Sequence, residues 1–320
     1  MFALQIRMYL LLAVLFAILY SIAVMAGTAM GVGSFETYLI FSLVLMFIQF
    51  MLGPKIVEWT MRVRYVKREE YPQLYEMVED QARRARIPTP KVCVSGVNIP
   101  NAFAFGRGRL DGRVCVTQGI MQLLNPEELK AVIGHEISHI KNRDVMTITI
   151  LSVIPMIMYR MAWHFMLYGG RGRNDRGNTA LIGLAAFIFY FITNLLVLYA
   201  SRIREYFADR GAVELGNRPE ALATALYKLV YGSARMGKGA MKEAEGMKAF
   251  FMNDPSNAGL EIKELYQLDL DKSGTLDTGE LANIRQQRLN LTFSDKMLES
   301  LSTHPNMLRR IKHLSGLKRS

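Results

Sequence analysis

Four long apolar stretches punctuate this chain, and they limit the architecture before any motif is considered. The first runs from about Met8 to Met30 without a charge. The second runs from Tyr38 to Leu52, the third from Val145 to Tyr159 and the fourth from Thr179 to Ser201. An apolar run of about 20 residues crosses a bilayer as a helix, because only a helix satisfies its own backbone groups where no water reaches. Strongly charged segments separate the stretches, a distribution that describes membrane spans alternating with polar domains. A length of 320 residues would otherwise suit two modest soluble domains.

The first stretch is longer than a signal-peptide core, although Ala23 and Ala26 mimic a cleavage site. With the second, which ends at Gly53-Pro54-Lys55, it reads as a transmembrane helical hairpin over residues 1–57. The connecting loop, Gly31 to Thr37, carries no Lys or Arg, whereas Lys55, Arg62, Arg64, Lys67 and Arg68 follow the second stretch. The positive-inside rule therefore expects a multi-pass protein of the cell inner (plasma) membrane whose polar part faces the cytoplasm. The fourth stretch is free of charge and reads as a span, while Arg160 and His164 interrupt the third. If both cross, the arginines of the Gly169–Gly177 loop lie outside, against that rule. The third stretch is then partial, or the pair packs against the polar domain.

Two further properties narrow the function. The formal net charge of +11 fits basic residues that hold a protein against anionic lipid, and no nucleic-acid-binding motif accompanies it. The two cysteines, Cys93 and Cys115, lie in short β-like runs and read as buried thiols.

The polar residues divide into 58–144 and 202–320, on either side of the two later apolar helices (145–201). Tyr71 to Ala85 has the pattern of a charged amphipathic helix. Lys91–Ser95 and Arg113–Thr117 are rich in β-formers, and Asp111-Gly112 before the second is a hairpin-turn signal. A second helix starts at a well-marked boundary, with Asn125 as cap, Pro126 in the first turn and Glu128 completing a capping box.

That helix carries His135-Glu136-Ile137-Ser138-His139. Residues four apart share one helix face, so both imidazoles reach the same ion, and Glu136 stands beside them to hold a bound water as general base. A catalytic zinc takes three protein ligands and keeps one position open. The candidate third ligand is Glu205, in the run Arg202–Asp209 that continues the fourth apolar stretch. Asp209 falls one turn later on the same face, placed to orient a ligand imidazole.

His135 through Asp144 (H-E-I-S-H-I-K-N-R-D), the R-E-Y-F-A-D run, and Thr303-His304-Pro305 with Arg310-Ile311 resemble the HtpX family of integral-membrane zinc metalloproteases, relatives of the CAAX prenyl proteases. The resemblance covers nearly the whole chain. It implies one Zn2+ per chain on His135, His139 and Glu205, with Glu136 as base and His304 stabilising the oxyanion. Asp209 would lie behind the ligands, and Arg310 would hold the carboxy-terminal element in place. Asn101-Ala102-Phe103-Ala104 resembles the family's segment along the substrate groove, with Phe105 where a small polar residue is usual. The implied activity is that of a metalloendopeptidase cleaving membrane proteins or unfolded polypeptides in stress response and quality control. An extended substrate would add beside a sheet edge.

One segment stands outside that pattern. Asp269 to Glu280 (D-L-D-K-S-G-T-L-D-T-G-E) fits the EF-hand template, with Asp269, Asp271, Ser273, Thr275, Asp277 and Glu280 at the ligand positions and Gly274 at the sharp turn. It reads as an insert over about residues 257–290, and Ca2+ is its candidate ion.

The expected fold class is an α-helical membrane protein with an α+β zincin-like (gluzincin) catalytic domain and an EF-hand-like insertion. The leading function is a zinc-dependent membrane endopeptidase, with a catalytically silent scaffold or calcium sensor on the same fold as the alternative. A transporter would call for broken-helix repeats, which this sequence does not display.

Overall fold

The computed structural model describes residues 35–168, 176–234, 265, 268–286 and 299–318. The first apolar stretch, most of the loop after it, residues 169–175 and all of the insert ahead of Leu265 lie outside the described residues.

The described residues of Met1–Leu52 and Thr149–Val197 form one compact unit, and those of Gly53–Ile148 and Leu198–Ser320 form a second. The boundaries fall inside three helices: α1 (Phe35–Thr60), α5 (Asp144–Leu151) and α7 (Arg176–Glu214).

In the first unit α6 (Val153–Tyr168) runs on through Arg160 and His164, the residues at which an interruption is expected from the sequence. It packs closely against α7. A Cβ on Gly183 would lie 2.8 Å from Met166 Cγ and 2.9 Å from Met166 N, so only a glycine lets the two backbones approach this far. Tyr159 meets Tyr190 with ring centroids 5.3 Å apart. Among the described residues, Asp144–Met166 and Leu181–Glu214 are long and apolar enough to cross a membrane. Ile188, Phe189, Phe191 and Leu196 all point outward. Such a surface is costly in water and at home in lipid.

The second unit is built on a four-stranded sheet of β1 (Val63–Tyr65), β2 (Lys91–Ser95), β3 (Ala102–Phe105) and β4 (Arg113–Thr117), in the order β1-β2-β4-β3. Alternate side chains serve two cores. Val92, Val94, Val114 and Val116 join the main cluster, whereas Cys93, Cys115, Phe103 and Phe105 pack with Val57 and Met61 from the end of α1. Both faces are therefore covered, and both cysteines are free and buried. The hairpin signal at Asp111-Gly112 lies in the turn that joins β3 to β4, and these two strands pair antiparallel. β2 and β4 lie parallel, with Cys93 opposite Cys115, and the antiparallel partner of β4 is β3. Two parallel neighbours cannot be joined by a tight turn, so the intervening segment returns as the edge strand.

Helix α2 (Pro72–Ala85) and α4 (Pro126–Asn142) pack together, and α4 also meets β3 and α8 (Pro219–Ala234). The capping box at the start of α4 is present: Asn125 Oδ1 accepts from Glu128 N at 2.9 Å and Glu128 Oε2 accepts from Asn125 N at 3.0 Å. Lys228 of α8 binds the same Glu128 carboxylate at 2.8 Å and 2.9 Å, tying the cap to the next helix. Thr117 caps the short α3 (Gln118–Leu123). Near the carboxy terminus α9 (Thr278–Gln286) packs on α10 (Met307–Ser315), which in turn packs on α8.

Candidate metal centre

The two histidines lie one turn apart on the buried face of α4, with Nε2 atoms 3.1 Å apart. Glu205 arrives from α7, its carboxylate oxygens 3.6 Å from each of those nitrogens. For donors about 2.0–2.2 Å from a tetrahedral ion, neighbouring donors lie about 3.3–3.6 Å apart, so both nitrogen–carboxylate spacings match the edges of such a site and the nitrogen–nitrogen spacing is slightly shorter.

Proton bookkeeping strengthens the fit. The Nδ1 of His135 faces Asp209 Oδ1 at 3.0 Å, and the Nδ1 of His139 faces Asp144 Oδ2 at 2.5 Å. A ring proton on Nδ1 suits each of these carboxylates, and in that neutral tautomer each Nε2 keeps a lone pair for a metal ion. Two lone pairs and a carboxylate thus converge on one point, and a cation reconciles them. Burial by itself would lower the pKa of His135, yet hydrogen bonds to Asp209 and Glu205 outweigh it and hold the value at about 9. Surroundings that retain a proton so firmly also attract a metal ion.

Glu136 is buried beside the two rings, and the backbone amide of Ala104 donates to its carboxylate. Burial pushes the Glu136 carboxyl up, while His135 and His139 act in the other direction. Ala104 belongs to β3, whose far edge has no strand partner among the described residues. The register pairs Phe103 with Cys115, and Asn101 O accepts from Thr117 N. The strand's alternation therefore turns the backbone groups of Ala102 and Ala104 toward the open edge, beside Glu136.

Arg310 enters from α10 and is wholly buried. Its Nε and Nη2 grip Asp209 at 3.0 Å and 2.6 Å, and its Nη1 lies 3.2 Å from Glu205 Oε2. Burial alone would lower its pKa, but Asp209 and Glu205 keep it above the ordinary value. His304, in the loop before α10, places Nδ1 3.5 Å from the same Glu205 oxygen. Arg202 fastens that loop through hydrogen bonds to the carbonyls of Ser300 and Ser302 at 3.0 Å and 2.8 Å.

One cluster thus gathers His135, Glu136, His139, Glu205, Asp209, His304 and Arg310, with Asn101–Ala104 alongside as the edge strand. Asp144, Arg202 and Arg204 are missed by the sequence reasoning. Asp144 falls five residues after His139, off the helix face. Only the left-handed turn at Arg143 (φ 57°) brings it back.

The acidic loop forms a separate group, in which Asp269, Asp271 and Glu280 each place a ligand atom within 4.8 Å of the others. Gly274 has φ +79°, and Leu276 is buried in the main core. The carboxylates accept backbone amides: Asp269 from Ser273 and Gly274, and Glu280 from Leu270 and Asp277. Tyr227 and Thr224 of α8 bind Asp269 Oδ2 and the Leu276 backbone. Ser273, Thr275 and Asp277 complete the loop, with Ser273 Oγ donating to Thr275 O at 3.3 Å.

Comparison with known proteins adds four findings. The model of peptidase family M48 matches residues 67–318. A protease HtpX homolog of Methanothermobacter thermautotrophicus is 46% identical over 243 residues, covering 76% of this chain and 92% of the relative. Another from Moorella thermoacetica is 34% identical over 268 residues, covering 81% and 88%. Among solved structures, Ste24p of S. mikatae shares the fold at a TM-score of 0.54 and 14% identity. That match covers 98% of this chain and 66% of that one.

Proposed function

The chain belongs to peptidase family M48, and from that premise we propose that it is a zinc endopeptidase whose metal is held by His135, His139 and Glu205. It is a membrane metalloprotease of the HtpX type. The observation that carries the site assignment is the convergence of two imidazole lone pairs and one carboxylate beside the buried Glu136.

Bound zinc would supply Lewis acidity and lower the pKa of a coordinated water to about 7. Glu136 is the general base. Burial raises its pKa, which favours taking up a proton, and in this role it accepts the water's proton and passes it to the leaving amine. Asp209 holds the Nδ1 proton of His135, and Arg310 keeps Asp209 in place. His304 donates to the oxyanion as the carbonyl becomes tetrahedral. The peptide pairs as an added strand with the open edge of β3 through Ala102 and Ala104, reading backbone more than side chains.

The substrates are membrane proteins or unfolded polypeptides, and the role is quality control in the cell inner membrane. The basic residues Lys55, Arg62, Arg64, Lys67 and Arg68 after the second apolar stretch support a catalytic side that faces the cytoplasm. The loop Asp269–Glu280 is read as a calcium site that adjusts the same centre. Its Leu276 and the following Ile284 of α9 lie in the main core, and α9 packs on α10, which bears Arg310. Calcium should then raise thermal stability in the wild type but not in Glu280→Gln. Equal responses would remove calcium from the reading.

The decisive test is cleavage of casein and of an unfolded membrane protein by the detergent-purified chain, wild type beside Glu136→Gln, each with its zinc content. Cleavage by the wild type alone, with one zinc in both, supports the proposal. Zinc in both and cleavage by neither would favour the silent scaffold.

A further inference from the structure

We propose that Asp144 is a positioning residue for this metal centre, fixing the Nδ1 proton and ring direction of His139, and that Arg204 holds Asp144 in place. The inference rests on the zinc reading above. His135 is sealed in the core, its side chain 1% exposed, whereas that of His139 is 16% exposed. Packing thus fixes the first ring, and the second depends more on its hydrogen bond to direct Nε2 at the ion.

The chain supplies that bond through a break between two helices. Helix α4 ends in the left-handed turn at Arg143 (φ 57°, ψ 40°), whose N–H bonds back to the last-turn carbonyls of His139 and Ile140. Helix α5 begins at Asp144, and the buried carboxylate folds back to His139 Nδ1 at 2.5 Å. Arg204 fastens this corner from α7: its Nη1 donates to the Asp144 carbonyl at 2.6 Å.

Arg204 immediately precedes Glu205, so the helix that carries the third ligand also anchors the support of the second. The centre therefore has two supports of one kind. His135 leans on Asp209, gripped by Arg310, and His139 leans on Asp144, gripped at its backbone by Arg204.

The chemistry requires an acceptor at this point. A carboxylate on Nδ1 fixes the tautomer that leaves Nε2 as a metal-binding lone pair. An amide in its place can donate to Nδ1 instead, moving the proton to Nε2, where it blocks coordination.

The test measures zinc dissociation constants of the full-length protein in detergent, by competition with a fluorescent chelator. The proteins are wild type, Asp144→Asn, Arg204→Ala, His139→Ala and the double variant His139→Ala/Asp144→Asn. Asp144→Asn keeps the size of the side chain and should weaken zinc binding about 10–100-fold, with a smaller loss for Arg204→Ala. In the His139→Ala background Asp144→Asn should cost nothing further, because its effect runs through that ring. Wild-type affinity in Asp144→Asn, or an equal loss in both backgrounds, overturns the inference while leaving the zinc reading intact. A wild type that binds no zinc overturns the zinc reading and the inference with it.

Discussion

Replacing Arg310 with Met should strain the centre more than any other change outside the candidate ligands. The guanidinium is fully buried, holds Asp209 through two hydrogen bonds of 2.6 Å and 3.0 Å, and lies 3.2 Å from Glu205. Met fills a similar volume, so little cavity forms, but two buried carboxylates lose the guanidinium and keep the His135 ring as the cationic group beside them. Removing one partner of a buried ion pair costs about 3–5 kcal/mol, because the other charge stays desolvated. For a domain of this size each kcal/mol moves the melting temperature by about 2–4 °C, so the zinc-free variant should melt about 6–20 °C below the wild type. Zinc restores positive charge beside Glu205, and the deficit should shrink when the metal is present. Arg310→Lys returns the charge without the two-pronged grip and should fall between the two. Scanning fluorimetry in detergent, with zinc and with chelator, reads all of these values. A zinc-free Met variant within about 2 °C of the wild type, or a deficit that zinc does not reduce, refutes the reasoning.

Gly134→Ala sets a Cβ 2.4 Å from Asn217 Nδ2 and 2.6 Å from Gln81 Oε1, two buried groups bonded to each other, so it should cost about 1–3 kcal/mol. Because Gly134 adjoins His135, zinc affinity should fall with stability; a variant that melts and binds zinc like the wild type would contradict this. Asp209 and Glu205 together outweigh burial and hold the metal-free His135 protonated up to about pH 9. Zinc must displace that proton, so apparent affinity should rise about tenfold per pH unit from 7 toward 9, with proton release measurable by calorimetry in two buffers. Affinity that is flat across that range would count against the assignment. The same raised pKa makes the protonated ring stabilise the zinc-free fold below pH 6.5, a contribution lost as pH climbs through 9. Asn125→Ala removes a cap some distance along α4 and should cost about 1 kcal/mol. Catalytic turnover per folded molecule should stay unchanged there, and a loss of turnover without a loss of stability would show that the cap does more than start the helix.

The parts of this molecule legible in its sequence are those written at short range. Helical spacing puts His135 and His139 on one face, and Glu205 and Asp209 on another, whatever the rest of the chain does. Asn125, Pro126 and Glu128 form a box within four residues, and the structure contains it. Within the acidic loop Gly274 takes a positive φ and Leu276 is buried, both local features of a tight turn beside an apolar position.

Other features depended on distant partners. Lys91–Ser95 and Arg113–Thr117 read as strands, but nothing local says that they run parallel or that β3 takes the edge. Asp144 lies off the face of α4 until the turn at Arg143 redirects it, and only the fold brings Arg204 to it from 60 residues away. Arg310 of α10 meets Asp209 of α7 across 101 residues.

By itself, then, the sequence determined the apolar stretches, the capped metal helix, the ligand spacings and the acidic loop, because each is a periodicity or a contact within one or two turns of chain. The tertiary structure alone decided the strand order, the direction of each imidazole and the buried ion pairs behind them. Those depend on which surfaces close over which charges, and long-range closure leaves no periodic signature in the residues it joins.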